Sequence, residues 1–480
     1  MNRILVRHSG NFTTSRMCAN ENLATEATRF DVSQIPTADQ SFNSEAHNPP
    51  DLSGSSPAVI MCNRTKPRDP FENDRRGTIL SGFSVITKSM IGSGIFSMAC
   101  ACSKFGLIAG SIFLCLAACI TWLSLRVLSV LALDFRQEKP TFYTVSGAIM
   151  PRARWVLDIS VIINCLGGAI VYVQTAGNLM SYAIIAVFNL STDPSAMKQQ
   201  YIAMCVQAVM IVSLAPLCMM KQISSTKIPN LIGLCCLLYI TICTLVYSSC
   251  DAASSQLLYP GNALIALGSF PTFIFAFTCQ QNVFTVAGEL KNPTLKRLDT
   301  VSILSTATGF LIYMPMMILP FLTFGEAVKS NYLYNYDQPE ISPPVPLLIA
   351  FVFASLSVSI SFVLQVQPIR RSLVSLIFGS SPPEDGKRET TVRVGLATVI
   401  LLITYGLAVG IGEDLSLPIN ISGLLGGNTM CFVMPFLLYL KRFGLRTAPG
   451  FARAVLATLV FCIALYPVCL TGIIYEAVSK

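Results

Sequence analysis

The chain has 480 residues, of which 53% are hydrophobic and only 12% charged, with a net charge of +8 and a mean hydropathy of +0.61. An ordinary soluble domain carries about 25% charged residues. The composition therefore excludes a soluble globular protein and indicates an all-α polytopic membrane protein.

The polar residues are concentrated at the start. Residues 1–78 hold 18 of the 58 Asp, Glu, Lys and Arg residues and both histidines, His8 and His47. Such a segment has too little apolar surface to fold alone, which predicts a disordered cytoplasmic tail. Ile4-Leu5-Val6 is its longest early apolar run, too short for a secretory signal. Arg3, Arg7 and Arg16 stand without an acid among the first twenty residues, a pattern shared with mitochondrial transit peptides.

From residue 79 onward, eleven apolar stretches are long enough to cross about 30 Å of hydrocarbon. They cover approximately 79–103, 107–132, 155–183, 201–219, 228–249, 262–289, 300–324, 344–369, 392–411, 416–438 and 453–475. With the tail inside, Lys and Arg in or flanking the inner connections outnumber those outside by 23 to 4. Basic residues favour the cytoplasmic side, so the N-terminus is expected in the cytoplasm and the C-terminus outside or in a lumen.

Two long connections, about 133–154 after span two and 325–343 after span seven, fall on opposite sides. That layout predicts two five-span repeats of inverted topology, about 79–249 and 262–438, followed by an extra helix at 453–475. Inverted repeats of this kind break their first and sixth helices near mid-membrane. Span one has Gly92-Ser93-Gly94 at its centre and Lys88 one turn before it, and glycine is a weak helix former. Span six has no glycine or proline at its middle, only Thr278, Gln280, Gln281 and Asn282 in an apolar run. Those residues fit either a break or a polar patch between helices.

Four stretches resemble the amino acid/auxin permease family, protozoan amino-acid permeases in particular. They are Ser81-Gly82-Phe83 through Met90-Ile91-Gly92-Ser93-Gly94-Ile95; Phe275 through Phe284 leading to Glu289-Leu290-Lys291-Asn292-Pro293-Thr294; Leu364-Gln365-Val366-Gln367-Pro368-Ile369-Arg370; and Gly423-Leu424-Leu425-Gly426-Gly427. The resemblance runs over about residues 79–475 and implies eleven helices in the LeuT-type fold, with secondary active transport of a free amino acid by alternating access. Under it, the N–H groups of Ser93, Gly94 and Ile95 at a helix N-terminus would attract the substrate carboxylate. Carbonyls near Ile91, Gly92, Phe277, Thr278 and Cys279 would take its ammonium, and Tyr172 resembles a tyrosine that closes over substrate. Tyr172 fits a packing role equally.

An arginine or lysine substrate would call for a carboxylate at mid-depth. Spans one, six and eight offer none, which points to a neutral amino acid, with a cationic amino acid permease as the alternative. In sodium-coupled relatives the turn holding Lys88 carries a small polar residue beside the ion. A lysine there predicts Na+-independent or proton-linked transport, H+ being expected ahead of Na+; the competing expectation is that Lys88 snorkels to the cytoplasmic face. Of Ser355, Ser357, Ser359 and Ser361 in span eight, at most two can share a helical face, and Ser357 and Ser361 are the ion-site candidates. Glu289 is expected to pair with a cation and latch the inner gate, and Arg126 to reach the cytoplasmic interface.

Other classes lack the residues they need. The membrane part contains no histidine, no Cys-x-x-Cys and no nucleophile beside a base, so no enzyme, metal, cofactor or nucleic-acid partner is expected; the partner is the lipid bilayer. An ion channel remains the alternative, because a broken helix can line a pore. Asn189-Leu190-Ser191 fits a glycan acceptor, whereas Asn420-Ile421-Ser422 lies within span ten. The expected location is the plasma membrane, with an acidic organelle second.

Overall fold

A computed structural model describes residues 77–135, 140–188, 196–220, 227–248, 262–336, 343–379 and 386–479. The tail up to residue 76 and the Asn189-Leu190-Ser191 sequon lie outside the described residues. Among those described the fold is helical, without strands apart from one isolated main-chain bridge between Gly77 and Leu290.

Nine helices in the described residues are long and apolar enough to cross a membrane. The first expected span is a pair of helices, α1 (Ile79–Met90) and α2 (Gly94–Phe105), bent by 54° at the Ile91-Gly92-Ser93 break. It is followed by α3 (Leu107–Asp134), a short α4 (Phe142–Ile149), α5 (Arg154–Val187), α6 (Ala196–Met219) and α7 (Lys227–Tyr247). The apolar part of α7, Ile232–Tyr247, is shorter than a full crossing and sits where the fifth span was expected.

Span six is α8 (Ala263–Ala276) and α9 (Val283–Glu289), separated by Phe277-Thr278-Cys279 and a 3-10 turn at Gln280–Asn282. Then come α10 (Leu295–Phe324), α11 (Val345–Phe378) and α12 (Gly386–Ile411). Span ten runs α13 (Ser416–Ile421), a widened π-helical segment (Ser422–Val433) and α14 (Met434–Phe443), and α15 (Pro449–Ser479) ends the described fold.

Local chemistry sets the helix starts. Thr78, Asn262 and Thr294 cap α1, α8 and α10 by accepting from main-chain N–H groups with their side-chain oxygens. Small residues let the helices pack closely, the usual way membrane helices associate. Spans six and ten are the most enclosed, with 78% of their apolar windows buried, against 22% for α6 and 28% for α15. Broken span six thus lies inside a protein shell, as do Ile91, Ser93 and most of α2 in span one, where irregular backbone at membrane depth is tolerated.

Candidate functional site

The two breaks form differently. In span one the helix ends at Ile91, whose ψ of 85° leaves the helical region, and α2 restarts at Gly94. Span six stops without help from glycine or proline at its middle. The Thr278 hydroxyl donates to the Phe275 carbonyl at 2.7 Å, and the Cys279 N–H donates to the Gln280 side-chain oxygen at 2.8 Å. Side chains that bond the local backbone compete with the helical ladder, so the polar cluster is itself the cause of the break. The cluster also makes a polar contact between helices, through Asn282 and Ser89.

The breaks meet. A Cβ built on Gly94 would stand 2.8 Å from both Cα and Cβ of Ala276, so only glycine admits this approach. Tyr172, on α5, puts its hydroxyl against Gly92, where a Cβ would lie 2.7 Å from it. The Tyr313 hydroxyl, from α10, lies 2.6 Å from the Met90 carbonyl and 2.8 Å from that of Ala276. Asn282 donates to Ser89 at 2.6 Å, tying the inner halves of the two spans. Ile91, Gly92, Ser93, Gly94, Ile95, Tyr172, Phe277, Thr278 and Cys279 are thereby brought to one place, and all are largely or wholly buried. Ser93 is buried there beside the Tyr172 hydroxyl, and Asn164 Oδ1, buried without a hydrogen-bond partner among the described residues, faces Gly427 of span ten beside Thr278.

Lys88 does not snorkel. It is only 6% exposed, and its Nζ lies 3.5 Å from both Ser357 Oγ and Ser361 Oγ on α11, close to Gly233 of α7. Those two serines are one turn apart and share a face, whereas Ser355 donates to the Ala176 carbonyl and Ser359 to that of Ser355. Among the described residues no carboxylate lies within ion-pair distance of the ammonium. Three spans, one, five and eight, converge on it.

The two remaining charged residues stand as follows. Glu289 is exposed, and among the described residues no cation pairs with its carboxylate; its main-chain carbonyl instead accepts from the Gly77 N–H at 2.7 Å. The Lys291 N–H also donates to the Gly77 carbonyl at 2.9 Å, so the contacts described there are main-chain ones. Arg126 pairs with Asp299, near the start of α10, at 3.3 Å, and lies against the rings of Trp122 and Phe451, the latter near the start of α15. Asn420 is buried and accepts from Thr272, so its sequon cannot receive a glycan.

Tyr313 and Asn164 escaped the reading of the sequence. Tyr313 is one of 15 tyrosines and sits in no motif. Asn164 is a lone amide in an apolar span, a signal of the same kind as the amides in span six and readable on the same grounds.

A family model described as transmembrane amino acid transporter protein matches residues 75–479, nearly all of the described fold. The chain belongs to this family. It is similar to vacuolar amino acid transporter 5 of Schizosaccharomyces pombe, with 26% identity over 74% of this chain and 82% of the relative. Vacuolar amino acid transporter 6 of Saccharomyces cerevisiae is 24% identical over 62% of this chain and 66% of its own length. Amino acid transporter AVT6E of Arabidopsis thaliana is 23% identical over 67% of each. The family expected from the four motifs is borne out, and a multi-pass membrane protein of an amino-acid transporter family is what this chain is.

Proposed function

We propose that this transporter carries a free neutral amino acid by alternating access, as a secondary transporter that is linked to H+ or independent of Na+. The observation that carries the reading is the face-to-face meeting of two interrupted helices inside a protein shell, tied by Tyr313. The 12-residue helix α2 aims its N-terminus, with the N–H groups of Ser93, Gly94 and Ile95, into the gap, which suits a carboxylate. The backbone carbonyls of Ile91, Phe277, Thr278 and Cys279 suit an ammonium. Tyr172 over Gly92 closes the gap from the α5 side.

Ser93, Tyr172, Phe277, Thr278 and Cys279 include no carboxylate, which favours a neutral side chain over a cationic one. Lys88, held by Ser357 and Ser361, occupies the position between spans one and eight where a sodium-coupled relative would hold Na+. Its ammonium supplies a resident positive charge, or a proton that comes and goes during the cycle. Glu289 acts at the inner gate through its carbonyl.

The nine candidate spans, the bent pair and Ile232–Tyr247 make eleven in this reading. They form five plus five inverted repeats in the LeuT-type manner, about 79–249 and 262–438, with 453–475 added and residues 1–78 as a cytoplasmic tail. Two of the relatives above are named vacuolar, which favours an acidic organelle membrane over the plasma membrane expected first.

The test is uptake of a radiolabelled amino-acid panel into proteoliposomes, with and without an imposed proton gradient and with and without Na+. Saturable, trans-stimulated uptake of neutral amino acids without Na+ is expected. Uptake restricted to arginine and lysine overturns the neutral assignment, and ohmic current without saturable uptake makes the protein a channel.

A further inference from the structure

Met90 and Ala276 are the last residues of α1 and α8. Continuing helices would satisfy their carbonyls with the N–H four residues on; the breaks remove those donors. The Met90 oxygen still accepts from the Gly92 N–H at 2.9 Å, and one phenol reaches both carbonyls. Tyr313 Oη is 2.6 Å from the Met90 oxygen and 2.8 Å from the Ala276 oxygen, so the two oxygens are held within hydrogen-bond reach of a single atom. The side chain is fully buried, and its ring meets Phe277 edge-on at 5.1 Å and 84°. One turn earlier on α10, Gly309 leaves room for Met90, whose sulfur would lie 2.5 Å from a Cβ there. A hydroxyl has one proton to give, so the two carbonyls share it, and each stays within its reach only while the other is held close.

We infer that Tyr313 is a positioning and specificity residue: by holding the Met90 and Ala276 carbonyls on one hydroxyl it fixes the gap between the two breaks, and so selects α-amino acids over those whose amino group is one carbon farther from the carboxylate. The inference rests on the reading of the breaks as the substrate site. The groups assigned to the carboxylate, at Ser93 to Ile95, lie within a few residues of Met90, and three of the four carbonyls assigned to the ammonium, at Phe277 to Cys279, follow Ala276, the fourth being Ile91. Their separation is therefore set where Tyr313 acts. An extra methylene moves the substrate ammonium by about 1 Å or more, a displacement that a well-fixed site penalises heavily.

The experiment takes whichever of L-alanine, L-leucine and L-glutamine the wild type accumulates best in proteoliposomes, and competes it with its own β-homologue. Tyr313→Phe is expected to raise KM by about three- to tenfold, as for one lost hydrogen bond, and to narrow the preference for the α form by a similar factor while Vmax per reconstituted protein changes less. Gly309→Ala, which crowds the Met90 side chain one turn from Tyr313, is expected to narrow it too, so the inference remains testable if the first variant misfolds. Tyr332→Phe removes an equally buried phenol, bonded to Thr244 and not to the carbonyl of a broken helix end, and should leave the preference unchanged. An α-over-β preference that is the same in wild type and both variants overturns the inference while leaving amino-acid transport in place. Failure of the wild type to accumulate any of the three amino acids removes the substrate-site reading itself, and the inference with it.

Discussion

At Lys88 a single side chain carries most of the coupling argument. An ammonium buried with two hydroxyls at 3.5 Å and no carboxylate is poorly solvated, and such a group costs stability. Lys88→Met keeps the length of the side chain and removes the charge. The variant should gain about 1 kcal/mol or more in thermal unfolding of the purified protein and lose the response of uptake to a proton gradient. Unaltered gradient dependence would remove Lys88 from the coupling mechanism. The sequence placed this lysine one turn from the break, but could not choose between an inward and an outward side chain, because both are within reach of a long flexible stem. The tertiary contacts with Ser357 and Ser361 make that choice.

At the level of elements, α1 and α9 pack as a pair. They are joined by the Gly77 bridge to Glu289 and Lys291 at one end and by Ser89 with Asn282 at the break. Between these ties a Cβ on Gly82 would stand 2.7 Å from a Val286 methyl. Gly82→Ala should therefore cost about 1–3 kcal/mol by overpacking, and Val286→Ala, which clears the methyl, should recover part of it. A double-mutant cycle on thermal unfolding measures the coupling, and strict additivity would mean that the pair is not in contact. The break in span one was legible because glycine announces it. That in span six was only half legible, since Thr278 and Gln280 act through hydrogen bonds whose direction the residue types do not specify.

At the level of the whole molecule, opposite ends of the bundle are closed by different chemistry. At the end away from Gly77, the segment Tyr332–Tyr336 between α10 and α11 inserts buried tyrosines: Tyr332 bonds Thr244 and Tyr334 accepts from Asn178. At that same end Lys104 of α2 holds Glu476 of α15 at 2.7 Å, linking the helix after the break to the last helix described. The pair is partly shielded, with side chains 18% and 13% exposed, so its loss should cost more than the about 1 kcal/mol of a surface pair and less than the about 3–5 kcal/mol of a fully buried one. Lys104→Glu should lower thermal stability and uptake, and adding Glu476→Lys should restore both. Absence of recovery in the swapped protein would mean that the linkage is incidental.

The class of molecule, the positions of the apolar spans and the family were all carried by composition, period and motif, because apolar length and a glycine pair are properties of residues next to one another in the chain. The meeting of the breaks was not. It depends on Tyr313 from α10, Tyr172 from α5 and the close contact of Gly94 with Ala276, residues separated by most of the fold. A hydroxyl can bridge two carbonyls only after packing has brought three helices together, and that distance is written in no local stretch of the chain. Hence the sequence supplied the parts of the site, and the fold decided their arrangement.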